Sequence, residues 1–239
     1  MKSLSIPALV VVAAVFSAPL AARAAVSGFE SGTMAGWSVS GAGHVNTASM
    51  GITPTGGTYL GELETTGNLT TSSAAISLLN VSSTDVYNLV LDVPLNGTVI
   101  YRSVTVSAGD TLSFDWNFIS DELDESSTFN DFAFWTVFDG TTGVPYLLGA
   151  RNLGISYWDS TSPPPGFDGQ MGWHTESYTF SAAGTYEIGF AAFNVGDHGH
   201  NSALLLDNIT LPDPVPEPAS LVGLVGAGLF IARRRRAQR

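Results

Sequence analysis

The chain of 239 residues contains no cysteine. Disulfides, thiolate zinc sites and cysteine nucleophiles are therefore excluded, and any core must hold by packing alone. Cations are nearly as scarce: nine Lys and Arg face 21 Asp and Glu, Lys2 is the single lysine, and the net charge is −12. Such a surface repels phosphate backbones and anionic lipid, so nucleic acid is excluded as a partner. A convincing amphipathic helical pattern is also lacking, and no serine sits in a nucleophile-elbow setting. His44 and His174 stand alone. A Ser-His-Asp hydrolase thus has no support in the pattern.

What is present is clearest at the two ends. Lys2 is followed by an apolar run from Ile6 to Leu20 and by Ala22-Arg23-Ala24. A positive start, an apolar stretch and a small-x-small site describe a secretory signal peptide over residues 1–24. The competing reading is a buried first helix, but nothing before Ser27 would give that helix a wet face. At the other end, Val215-Pro216-Glu217-Pro218 leads into an apolar stretch, 219–232, and then Arg233-Arg234-Arg235-Arg236. A bilayer-spanning helix needs roughly 20 residues, and arginines hold their end on the cytoplasmic side. This shorter segment suits a tail, 213–239, that engages a membrane, is recognised and is then cut.

The Pro216-Glu217-Pro218 motif, the short hydrophobic helix and the Arg233–Arg236 cluster resemble a PEP-CTERM sorting signal, also known as the ice-binding-protein C-terminal motif. The resemblance covers only the last 25 or so residues. It implies processing by an exosortase-type membrane protease near Pro-Glu-Pro. It further implies delivery to the outer surface or the extracellular polysaccharide matrix of a Gram-negative bacterium. The tail is an address, so ice binding does not follow from it. Cleavage after Ala24 and at Pro216-Glu217-Pro218, which removes Glu217 but not Asp213, would leave only Arg102 and Arg151 against twenty acids, a net charge of −18. That surface is well supplied with oxygen ligands for a hard cation such as calcium.

Residues 25–212 read as one all-β domain. Leu112, Phe114, Trp116 and Phe118 alternate with Ser113, Asp115 and Asn117, and Tyr186, Ile188, Phe190 and Ala192 repeat the pattern. A period of two marks half-buried strands. Further strands are expected over 37–40, 58–62, 99–106, 133–138, 175–180 and 204–211. Ala108-Gly109-Asp110, Asp139-Gly140 and Ala183-Gly184 supply turns. Short strands with Gly-rich turns and no interleaved helices indicate a single β-sandwich of the jelly-roll type. Val86–Leu91 is left open between strand and short helix, and 156–169, with Pro163-Pro164-Pro165, is expected to be a long surface loop.

Gly28-Phe29-Glu30 with Gly36-Trp37, and Leu206-Asp207-Asn208-Ile209, resemble the opening and closing strands of carbohydrate-binding-module jelly rolls. That resemblance implies neighbouring first and last strands, with Glu30 and Asp207 sharing a structural calcium ion. The alternative is that both carboxylates are satisfied by backbone N–H groups at strand ends. Asp121, Glu122, Asp124 and Glu125, followed by Asn130 and Asp131, form a second acidic cluster. It reads first as a solvated loop, with calcium binding and a glycosidase pair as the sharper alternatives. Asp197-His198-Gly199-His200-Asn201 has two imidazoles but no third strong ligand nearby, which favours a polar loop over a metal site.

Among the aromatics, Trp37, Trp116 and Trp173 are expected in the core. Trp135 lies on the strand face opposite Phe132 and Phe134, so it is expected to point out of the sheet. Tyr157 and Trp158 fall in the Pro-rich loop. These three rings are the candidate glycan-stacking surface. The leading expectation is a non-enzymatic exported surface or matrix protein associated with exopolysaccharide or biofilm. The alternatives are a calcium-dependent, lectin-like carbohydrate-binding module and a secreted hydrolase.

Overall fold

The computed structural model describes residues 24–26, 28–122, 130–150 and 158–212. The signal segment before Ala24 lies outside the described residues. So do Tyr157, Asp124, Glu125 and the tail with Pro216, Glu217, Pro218 and Arg233–Arg236. Thirteen strands are present among the described residues: β1 (Ala24–Val26), β2 (Ser38–Ser40), β3 (Ala42–Asn46), β4 (Leu60–Glu64), β5 (Thr70–Thr71), β6 (Pro94–Val106), β7 (Thr111–Ser120), β8 (Phe132–Phe138), β9 (Gly143–Ala150), β10 (Gly169–Gln170), β11 (His174–Thr179), β12 (Gly184–Val195) and β13 (Ser202–Pro212). Two short helices, α1 (Ser72–Leu78) and α2 (Ser83–Val90), precede β6.

The strands form two antiparallel sheets. In the first, β10, β7, β13, β4 and β3 are neighbours in that order, with β11 also on β7 and β1 on β13. In the second the order is β2, β6, β12, β8 and β9, with β5 on β6. This is a β-sandwich of the jelly-roll class. β1 lies beside the last strand, Ala24 opposite Pro212 and Val26 opposite Thr210, whereas Gly28-Phe29-Glu30, expected as the opening strand, forms a bend and turn after it.

The inter-sheet core follows from the alternation. Leu112, Phe114, Trp116 and Phe118 of β7, with Leu204 and Leu206 of β13, meet Ile188, Phe190 and Ala192 of β12. The second sheet is covered on its outer face too. There Phe132, Phe134, Ala191, Phe193 and Val195 pack under Ala75, Leu79, Val86 and Val90 of the two helices. Gly189 permits this contact, because a Cβ there would lie 2.3 Å from a Leu79 methyl.

α2 falls on the segment left open between strand and short helix, which is a helix, whereas α1 was not anticipated. α2 opens on Ser82, whose hydroxyl accepts the N–H groups of Thr84 and Asp85, and it ends on Leu91 in the left-handed region. Eight residues are too few to give a clear period. β3 and β9 were also not anticipated. β9 carries Gly143, Pro145 and Gly149, residues unfavourable within strands, and Pro145 is tolerated because β9 is an edge strand.

The double burial overturns the reading of Trp135. It is only 4% exposed and belongs to the inter-sheet core, where its ring meets Phe114 edge-on at 5.3 Å and stacks on Tyr146 at 4.6 Å. Phe132 and Phe134 are the residues that face the other way, into the helical layer. Both faces of β8 are apolar, so opposite orientation did not mean exposure. Trp135 is therefore removed from the candidate ligand surface. Trp135→Ala is expected to cost about 3–5 kcal/mol in denaturant unfolding, the range for emptying an aromatic site in a packed core.

Candidate functional site

Glu30 and Asp207 reach the same turn from two sides. Glu30 is exposed and accepts the backbone N–H groups of Thr58 at 2.8 Å and Tyr59 at 3.3 Å. Asp207, 1% exposed, accepts those of Thr55 at 2.6 Å and Gly56 at 2.9 Å. Two glycines make the approach possible. A Cβ on Gly57, whose φ is +65°, would lie 2.3 Å from the Glu30 carboxyl, and one on Gly56 would lie 2.3 Å from Asn208 Oδ1. Asp115, opposite Asp207 on β7, receives hydrogen bonds from Thr55, Thr175 and Asn208, which hold its carboxyl below the usual range despite partial burial.

Calcium would need six to eight oxygen ligands around these carboxylates. What faces Glu30 and Asp207 is amide N–H, the natural partner of a bare carboxylate. Among the described residues no three acidic or imidazole groups gather as a metal cluster. These N–H groups, with the Thr55 hydroxyl at 3.0 Å from Asp207, satisfy the two side chains in this structure.

A second arrangement lies on the outer face of the first sheet. Glu62 and Glu64 project from β4 beneath two loops, one carrying Met50 and Ile52 and the other carrying Phe167 and Trp173. The roof is tied down by Trp173 Nε1 donating to Thr53 O at 3.2 Å and by Asn117 Nδ2 donating to Gln170 Oε1 at 2.9 Å. Glu62 is 1% exposed, with Asn46 Nδ2 at 2.6 Å on one oxygen and Ser49 Oγ at 2.7 Å on the other. Burial raises its pKa, those two hydrogen bonds oppose the rise, and the neighbouring Glu64 charge adds to it. A cleft of about 190 Å³ opens here, lined by Glu62, Glu64, Asn201, Met50, Pro165 and Phe167. Carboxylate and amide oxygens beside a flat ring are the groups that hold a polyol ring: acceptors for its hydroxyls and a face for its C–H groups. The strand pattern of Leu60-Gly61-Glu62-Leu63-Glu64 held the signal, since an acid at every second position marks one polar face.

Of the other expected site residues, Trp158 is half-buried against the inter-sheet core and against Gly169, where a Cβ would meet its ring at 2.6 Å. It pins its own loop. His200 Nδ1 lies 3.4 Å from Asp121 Oδ1 and 3.1 Å from the Asp121 carbonyl, so it fastens the 196–201 loop to the end of β7.

Glu122 and Asp131 depart most from expectation. Far from lying in a solvated loop, each is only 2% exposed. Glu122 Oε2 accepts the Asp131 N–H at 3.1 Å. Asp131 accepts Val195 N–H at 3.0 Å and the Thr65 hydroxyl at 3.3 Å. Burial, reinforced by the Asp131 charge, pushes the Glu122 pKa up to about 8, and burial pushes Asp131 to about 7.

Residues 214–236 match the PEP-CTERM protein-sorting motif. The PEP-CTERM motif marks an exported chain for sorting at the cell envelope, which agrees with the tail read from the sequence. No curated relative matches the chain. Similar solved structures include the TmCBM61 module in complex with β-1,4-galactotriose, 14% identical over 78% of this chain and 94% of that one, with a TM-score of 0.41. The K3 cleaved adhesin domain of Lys-gingipain from Porphyromonas gingivalis is 15% identical over 77% and 95%, with a TM-score of 0.40. The CBM22-1 xylan-binding domain of Paenibacillus barcinonensis Xyn10C is 14% identical over 77% and 90%, with a TM-score of 0.33. With TM-scores of this size, the sandwich is defined by the strand pairing itself. No helix among the described residues is long and apolar enough to cross a membrane.

The raised carboxyls set a pH dependence. A group whose folded pKa exceeds its unfolded value holds a proton that the unfolded chain has released, and that stabilisation is lost as pH rises through the folded pKa. In excess EDTA, the melting temperature is therefore expected to fall between pH 5 and pH 8. Glu122→Gln is expected to flatten most of that fall, as read by thermal unfolding across the range.

Proposed function

We propose that the protein is exported, is processed near Pro216-Glu217-Pro218 by an exosortase-type protease, and resides at the outer surface or in the exopolysaccharide matrix of a Gram-negative bacterium. There its sandwich binds polysaccharide without cleaving it. The observation that carries this reading is the sorting motif at residues 214–236 behind an acidic β-sandwich. Before processing, the apolar tail makes the membrane contact.

The ligand part of the reading rests on the Glu62/Glu64/Phe167 cleft. Its acidity, on a domain nearly devoid of cations, favours neutral glycans over uronic-acid polymers. A non-enzymatic role is supported by the placement of the carboxyls. A glycosidase sets two carboxyl groups on opposite sides of the scissile bond. Here Glu62 and Glu64 stand side by side on one strand, and Glu122 and Asp131 are sealed from substrate. In this reading Glu30 and Asp207 brace the Thr55–Tyr59 turn. A calcium-dependent, lectin-like mode through those two residues is the second reading, and what favours it is their convergence on one turn.

The cleft is tested on arrays of neutral and acidic glycans with the purified protein. Binding to neutral polysaccharide is expected, weakened about tenfold by Phe167→Ala or Glu64→Gln with the fold retained in thermal unfolding, the loss of about 1.4 kcal/mol expected for one ring or hydrogen-bond contact. Preference for acidic glycans, or equal binding by both variants, sinks the cleft as the glycan site.

A further inference from the structure

The cleft above Glu62 and Glu64 is bounded on one side by a turn whose sequence does not suit its shape. Ser49 and Ile52 pair across a two-residue hairpin, Ser49 N donating to Ile52 O at 2.9 Å and Ile52 N to Ser49 O at 2.7 Å. Both central residues have positive φ, +47° at Met50 and +81° at Gly51. Two left-handed residues in a row are the pattern of a type I′ turn, which favours Asn, Asp or Gly. A Cβ in that region crowds the following carbonyl oxygen, and Met has no side-chain amide or carboxylate to offset the cost. The other non-glycine residues of positive φ among the described residues have plain reasons: Leu91 closes α2, and Asn80 and Asn208 are of the type that tolerates it.

Core packing does not explain the choice of Met50 either. Its side chain is 40% exposed, while Ile52, two residues on, packs against the cluster of Leu60, Ile119, Ala203 and Leu205. The turn itself is firmly held. Asn46 Nδ2 and Ser49 Oγ both donate to Glu62, and Ile52 anchors the far end. This places Met50 in the lining of the cleft with Pro165 and Phe167. The turn also comes close to the Phe167 loop, since a Cβ on Gly51 would lie 3.9 Å from Pro165 Cδ.

We propose that Met50 is a ligand-contact residue of the cleft, its thioether closing on the apolar face of a bound neutral sugar ring. This rests on the reading of the cleft as a glycan site. An unbranched, polarizable side chain adapts to an irregular ring surface, and strain of this kind is kept where a binding surface needs it. Stability and binding are therefore opposed at this one position.

The test measures the purified protein by calorimetry against maltohexaose, cellohexaose and mannohexaose, and by thermal unfolding without ligand. Met50→Asn gives the turn a residue it favours, and its melting temperature is expected to rise by about 2–4 °C. Met50→Ala keeps the strain and removes the contact. Both variants are expected to bind the preferred hexaose about fivefold more weakly, the loss of one apolar contact, and Met50→Leu to bind within about twofold of wild type. Glu64→Gln serves as the reference for the cleft. If Glu64→Gln weakens binding while Met50→Asn and Met50→Ala do not, the role of Met50 is overturned and the glycan cleft stands. If all of these bind as wild type does, or wild type binds none of the three probes, both readings fall. A melting temperature that Met50→Asn does not raise also overturns the inference, because the turn then holds no strain for binding to explain.

Discussion

The ladder of β6, β12 and β8 is buried on both faces, against the first sheet on one side and against α1 and α2 on the other. The remaining organisation depends on this constraint. A strand covered on both sides has no dry position that can hold a charge without a partner, so Phe132 through Val137 and Ile188 through Phe193 are almost wholly apolar. Polar residues are displaced to the strand ends. Asp131 stands just before β8, Asn194 near the close of β12, Glu122 just past β7 and Ser202 at the start of β13. Antiparallel pairing brings these ends together, and one buried polar layer results.

Three sets of carboxylates show how a chain so poor in cations can treat buried acids. At the Thr55–Tyr59 turn, backbone amides turn toward Glu30 and Asp207, and the acids become structural braces. On the outer face, Asn46 and Ser49 satisfy both oxygens of Glu62. At the Glu122 end the supply of donors runs short. Backbone N–H groups and one hydroxyl cover Asp131, but Glu122 keeps a bare oxygen. The difference is local. A glycine turn offers several adjacent N–H groups to one carboxylate, whereas strand ends offer one each, because their other amides are already in the ladder.

Much of the sandwich was legible in the sequence because β7 and β12 alternate apolar and polar residues, and because turns such as Ala108-Gly109-Asp110 punctuate them. The failure at Trp135 has a definite cause. Alternation assigns opposite faces but does not say which face is dry, and a run such as Phe132-Ala133-Phe134-Trp135 reports only that both are. The segment of α2 stayed open between strand and helix for lack of length, α1 escaped for the same reason, and β3 and β9 escaped for their glycines and proline. The site was harder to read. Glu122 and Asp131 sit in a string of acids that resembles a solvated loop, and nothing local reveals that β8 and β13 will seal them. Glu62 and Glu64 carried the right period, yet one of the two loops over them comes from residues about a hundred positions later. Proximity of that kind belongs to topology.

The buried acid layer and the cleft share a wall. Thr65, which donates to Asp131, has the Ser202 N–H donating to its own hydroxyl oxygen at 2.8 Å, and Ser202 lines the cleft beside Glu64 and Asn201. The hydroxyl that satisfies Asp131 therefore also fixes the strand start on which Asn201 and Ser202 are presented. On the proposed reading the buried acids act on the ligand only through this strand start, because Glu122 and Asp131 themselves are closed to it.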